Sequence, residues 1–154
     1  MGKNRELGNK GDLPAWRLPA DLKRFKELTD GSVVVMGRKN YESLPERFRP
    51  LPNRKNVVLT RDEIWAGPGV EIVHTVDEVL EKYGADENLW IIGGAEIYKL
   101  FLPYVNEMHL TEVDGQFEAD TFFPEFSGFE ITKEEIFPAD EKNSHNTIYR
   151  VYKK

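Results

Sequence analysis

Apolar residues gather in four short runs along the first two thirds of this chain. Ser32–Met36 is β-branched and ends at Gly37, and Asn56–Leu59 ends at Thr60-Arg61. Gly69–Val73 is the third run, and Leu89–Ile92, the fourth, ends at Gly93-Gly94. Runs this short suit strands covered on both faces, which predicts a mainly parallel sheet. Between them the polar spacing becomes helical. Asp21–Leu28 places Leu22, Phe25 and Leu28 on one side and turns Lys23, Arg24, Lys26 and Glu27 toward water. Thr75-Val-Asp-Glu78 has the form of a capping box and opens a helix over Val76–Tyr83. Ala95–Leu102 follows the fourth strand as a helix and is stopped by Pro103.

The last third is patterned differently. Met108–Val113 mixes polar and apolar positions, and Phe129–Phe137 and Asn146–Tyr152 are longer runs joined by a polar stretch from Pro138 to His145. That predicts an antiparallel C-terminal hairpin at a sheet edge. The reading is one α/β domain over residues 1–154, with seven strands in a mainly parallel mixed sheet and flanking helices.

Composition narrows the function. Hydrophobic residues make up 40% and charged residues 31%, a globular balance, and the net charge of −6 offers no basic field to nucleic acid or anionic lipid. With no cysteine there is no disulfide, thiol nucleophile or cysteine-ligated metal. No apolar run approaches the ~18 residues of a membrane span, and Met1-Gly-Lys-Asn-Arg-Glu is too polar for a secretory signal. A cytoplasmic monomer acting on a small molecule is the expectation.

Candidate chemistry lies at the ends of the runs. Gly93-Gly94 would let backbone approach a phosphate where a helix begins, although two glycines alone more often make a tight turn without a ligand. Gly37-Arg38-Lys39-Asn40 and Thr60-Arg61 repeat the arrangement with cations. Ligands of open α/β sheets lie outside the carboxyl ends of strands, so three such ends weigh more than one. At the other pole stands Asp21, among Leu18, Leu22 and Phe25. It is either a helix-start aspartate facing the dipole or an acid in an apolar cleft that pairs with an amidine-like ligand edge. His74, His109 and His145 are scattered and predict no metal site.

Five ordered segments together resemble the dihydrofolate reductase family in its bacterial form: Trp16–Phe25, Val35–Ser43, Pro50–Asn56, Ile91–Tyr98 and Asp120–Pro124. The resemblance covers nearly the whole chain and implies that family's fold, with hydride transfer from NADPH to C6 of dihydrofolate and a proton added at N5. By the same resemblance Asp21 is the active-site acid, Thr111 supports it, and Trp16 completes the catalytic set. Leu22, Phe25, Leu44 and Leu51 line the substrate, and Arg54 takes the α-carboxylate of its glutamate tail. Gly93 and Gly94 are joined by a cis peptide beside the pyrophosphate, and Ile92 and Tyr98 line the nicotinamide pocket. Arg38, Lys39, Asn40 and Arg61 meet cofactor phosphates, and the two arginines favour NADPH over NADH. Gly37, Thr60, Ala95, Glu96 and Ile97 complete the cofactor set, together with Gly8 and Leu13 of a loop that closes over the nicotinamide.

The chain departs from the family pattern in three places. The family begins with one more apolar strand, where only Met1 stands here, so a weakened sheet is expected. Ala15 separates Pro14 from Trp16, and Asn40 stands where the family has threonine. Two alternatives stay open on sequence alone: the NADPH-dependent reductase of riboflavin synthesis, and a folate- or nucleotide-binding remnant with little activity.

Overall fold

The structure is a computed structural model that describes residues 1–10, 16–86 and 88–154. In chain order its first elements are β1 (Glu6–Gly8), α1 (Pro19–Thr29), β2 (Val33–Gly37), α2 (Arg38–Ser43), β3 (Lys55–Leu59) and β4 (Glu71–Val73). Then follow α3 (Val76–Tyr83), β5 (Leu89–Gly93), α4 (Ala95–Phe101), β6 (Glu107–Val113), β7 (Thr121–Phe122), β8 (Glu130–Phe137) and β9 (Thr147–Lys153). The residues form two compact units, one from Met1–Phe25 with Leu102–Lys154, the other from Lys26–Phe101.

The Lys26–Phe101 unit is built on a four-stranded parallel sheet in the order β4-β3-β2-β5. Its middle strands are the most apolar, and Val34, Val35, Val57 and Val58 are fully buried. Parallel strands reach this state because their crossover helices cover the faces. The fourth run departs from expectation: Leu89, Trp90, Ile91 and Ile92 are only half-buried, since β5 ends the sheet. The capping box is present in altered form. Thr75 Oγ1 accepts from the Glu78 N–H at 3.1 Å, while the Glu78 carboxylate reaches the His74 N–H at 3.3 Å.

In the other unit β6, β9 and β8 form an antiparallel sheet in that order. Thr147, Tyr149 and Val151 of β9 are buried on one face. On the opposite face Arg150 bridges Glu112 of β6 at 3.0 Å and Glu134 of β8 at 2.7 Å. Met1 lies beside β6, its amino group donating to Thr111 O and its carbonyl accepting from Val113 N. All seven strands read from the sequence are present, and two short ones are added, because β1 pairs antiparallel with β7. Three and two residues are too few to show a period.

The polar stretch joining β8 to β9 does more than connect them. Asp140 Oδ1 gathers the Lys142 and Asn143 N–H groups into a turn. Asn143 Oδ1 then accepts from Ala20 N at 3.1 Å, and Ser144 bonds Arg17 through both its hydroxyl and its N–H. The free N–H groups at the start of α1 are thus partly satisfied from the far end of the chain.

Candidate active site

The first turn of α1 fixes the acid. Asp21 sits where a carboxylate is favoured by the exposed N–H groups of the helix start. Thr111 of β6 donates its hydroxyl to Asp21 Oδ1 at 2.6 Å. Thr111 is itself fixed by β-pairing with Tyr149. The acid is not in an apolar cleft. Its side chain is 37% exposed and ion-paired to Arg24 at 3.2 Å. Arg24 is also not turned toward water as the helical pattern predicted. It is 19% exposed and stacks over Phe137 and Tyr149, with its guanidinium carbon 4.7 and 4.2 Å from the ring centres. A helical wheel could not reveal this, because both rings come from distant strands.

A cleft of about 180 Å³ opens beside this group, lined by Leu18, Asp21, Arg24, Phe137, His145 and Thr147 among others. Its size suits several water molecules at roughly 30 Å³ each. Leu22, the expected apolar wall, is 67% exposed, and Phe25 is half-buried. Trp16 packs edge-on against Phe117 at 5.0 Å, and its indole N–H is buried with no partner among the described residues. Gly8 is buried in β1, where its carbonyl accepts from Asp120 N. Leu13 lies outside the described residues.

In the Lys26–Phe101 unit the carboxyl ends of β2, β3 and β5 share one edge, with Gly37 opposite Leu59 and Met36 opposite Gly93. The Gly93–Gly94 peptide is cis, and Gly93 has φ +120°. A Cβ at Gly93 would press on the Tyr98 ring, whereas one at Gly94 would meet nothing within 4 Å, so a bulky group can approach Gly94 closely. Tyr98 is half-buried, and desolvation pushes its phenol up to about 12, which keeps it neutral. A Cβ at Gly37 would come within 3.0 Å of Ile97, which is why that turn is bare. Ala95 opens α4, and Ile92 is half-buried one residue before the pair.

The cations at this edge are held by carboxylates. Arg38 pairs with Asp62 at 3.2 Å and Glu42 at 3.5 Å, and Arg61 pairs with Glu96 at 3.2 Å. Lys39 is exposed and Asn40 half-buried. Thr60 holds the turn after β3, accepting from Asp62 N at 3.1 Å. Three cations, an open backbone at Gly94 and a neutral tyrosine fit a phosphate-bearing nucleotide with an apolar ring. Among the described residues no cluster of His, Cys, Asp and Glu could hold a metal.

Arg54 is held in the same unit. Buried Asn56 bonds Leu51 through both N–H and carbonyl, and also the Arg54 carbonyl, which folds the loop tightly. Arg54 Nε donates to Pro52 O, and its NH1 donates to Thr29 Oγ1 at 3.1 Å, at the last residue of α1. Burial lowers the guanidinium from the usual arginine value without removing its charge. Leu51 is buried and Leu44 half-buried.

The sequence model of the family described as dihydrofolate reductase matches residues 1–154. The chain belongs to the dihydrofolate reductase family. It is 38% identical to the dihydrofolate reductase of Bacillus subtilis (strain 168) over 156 residues, covering 100% of this chain and 90% of that protein. It is 40% identical to the type 3 dihydrofolate reductase of Salmonella typhimurium over 147 residues, covering 94% of this chain and 88% of the relative. Among solved structures, dihydrofolate reductase from Enterococcus faecalis complexed with NADP(H) and RAB-propyl is similar with TM-score 0.89 and 35% identity, covering 99% of this chain and 91% of that one. Within this family the Asp21–Thr111 pair and the cis Gly93–Gly94 peptide stand where the sequence resemblance located them. Arg24 is the addition that the motifs did not announce. No helix among the described residues is long and apolar enough to cross a membrane.

Proposed function

We propose that this chain reduces 7,8-dihydrofolate to 5,6,7,8-tetrahydrofolate with NADPH. The observation that carries the reading is the Asp21 carboxylate, fixed at 2.6 Å by Thr111 in a chain of the dihydrofolate reductase family. Asp21 accepts from the amino edge of the pterin and promotes protonation at N5 through water that reaches it from the adjacent cleft. Leu22, Phe25, Leu44 and Leu51 hold the rings, and Arg54 binds the α-carboxylate of the glutamate tail as a planar fork. Trp16 completes the catalytic set with a buried indole N–H that has no partner among the described residues.

NADPH supplies the hydride from its nicotinamide. Gly93, Gly94 and Ala95 present backbone to its pyrophosphate, and Ile92 and Tyr98 line its nicotinamide ring. Arg38, Lys39, Asn40, Thr60 and Arg61 take the phosphate end, with Gly37 and Ile97 shaping the turn behind them. Binding there exchanges the carboxylates of Asp62 and Glu96 for phosphate as partners of the arginines. Gly8 completes the cofactor set by the resemblance; Leu13 lies outside the described residues.

The protein acts as a cytoplasmic monomer on a small-molecule substrate, without nucleic acid. The net charge of −6 supports the last point, and gel filtration tests the first. The function itself is tested by following NADPH absorbance on adding dihydrofolate. Loss of absorbance that depends on both compounds is expected, and none would refute the reading.

A further inference from the structure

Arg24 stands three residues after Asp21, where a helix brings side chains together one turn apart. Most such pairs lie in water and contribute little. This one does not, because the Arg24 side chain is only 19% exposed. Its guanidinium lies over the Phe137 ring of β8 and the Tyr149 ring of β9. Stacking on two aromatic faces fixes the plane of the fork, which a flexible ammonium would not allow. From that plane NH1 donates to Asp21 Oδ1 at 3.2 Å and reaches Thr111 Oγ1 at 3.5 Å. The Thr111 hydroxyl in turn donates to the same Oδ1 at 2.6 Å. Both donors converge on one oxygen, and Oδ2 meets no partner among the described residues.

The support under Arg24 is itself anchored. Tyr149 is 5% exposed, its hydroxyl bonds His109 Nδ1, and His109 Nε2 bonds Glu107 at 2.7 Å. The nearest other charges on β8, Lys133 and Glu135, pair with each other at 2.7 Å. Glu135 feels the Arg24 charge from a distance, but the hydrogen bonds of Arg24 among the described residues go to Asp21 and Thr111.

We propose that Arg24 is a positioning residue for the reaction: packed against Phe137 and Tyr149, it holds Asp21 and Thr111 so that Asp21 Oδ2 is the oxygen offered to substrate. The proposal rests on the reductase reading above. It concerns Asp21 and not cofactor binding, so the two can be measured apart.

The test is single-turnover hydride transfer, with separate equilibrium titrations of dihydrofolate and NADPH, on wild type, Arg24→Met, Arg24→Lys and Asp21→Asn, and on Arg24→Met combined with Asp21→Asn. Arg24→Met should lower the transfer rate about tenfold, the loss of one charge-assisted hydrogen bond. NADPH affinity should stay within about twofold, since among the described residues the contacts of Arg24 go to Asp21, Thr111, Phe137 and Tyr149 and to none of the cofactor residues. Arg24→Lys should recover part of the rate, because it restores the charge without the planar fork. In the Asp21→Asn background Arg24→Met should cost little more, because its effect passes through Asp21. A wild-type rate in Arg24→Met, or the same proportional loss with and without Asp21, would overturn the proposal. If Arg24→Met melts below the assay temperature, Arg24→Lys decides, and full wild-type transfer in it refutes the need for a fixed fork. A wild type that binds both ligands but transfers no hydride would refute the reductase reading instead.

Discussion

Asp21 has three neighbours of different origin. It lies in the first turn of α1, Thr111 bonds one oxygen, and Arg24 bonds the same oxygen. Asp21→Asn keeps the shape and removes the acid. It should lower hydride transfer at pH 7 by roughly 10²-fold or more. Part of the rate should return at low pH, where the substrate is protonated by solvent. Rate-against-pH curves for both proteins check this, and wild-type turnover in the mutant at pH 7 would exclude the role. Arg54→Ala should raise KM for dihydrofolate roughly tenfold while changing kcat less, as a remote contact made in ground and transition states alike should. A pterin without the glutamate should be nearly indifferent, and equal losses on both substrates would mark the change as structural. The motif Trp16–Phe25 singled out Asp21 as a candidate, and Pro50–Asn56 singled out Arg54. Arg24 was not legible, since helical spacing cannot show that Phe137 and Tyr149 will cover it.

At the scale of elements, short apolar runs sufficed to find β2 to β5, and the alignment of Gly37, Leu59 and Gly93 followed from parallel pairing. What sequence did not carry was the edge position of β5, the pairing of β1 with β7, and the clasp of Asn143 and Ser144 on the start of α1. Each depends on partners distant in the chain, and none leaves a local period. The proposed role of the strand ends in cofactor choice can be tested at Arg61. Arg61 is 89% exposed and paired only with Glu96 in the described structure, so its release to a phosphate is cheap. Arg61→Ala should weaken NADPH binding about threefold to fivefold, the size of an exposed charge contact. NADH binding should change less, because it lacks the 2′-phosphate. Equal losses in titrations of the two cofactors would place Arg61 away from that phosphate.

For the whole molecule, 154 residues is the size of one domain, and the described residues form two compact units of similar extent. One folding domain is expected, and scanning calorimetry should give a single transition with equal calorimetric and van't Hoff enthalpies. Two resolved transitions would divide the chain. The family was legible because five separated motifs occur in order, which no local accident reproduces. The setting of Asp21 was not, because the sequence left open a helix-start aspartate or an acid in an apolar cleft, and the structure shows it half-exposed and ion-paired. The central claim is the reaction. The most direct measurement is NADPH absorbance followed with purified protein, with and without dihydrofolate. Absorbance should fall only when protein, NADPH and dihydrofolate are all present, with one tetrahydrofolate formed for each NADPH consumed. Folded protein that binds both compounds and forms no tetrahydrofolate would contradict it.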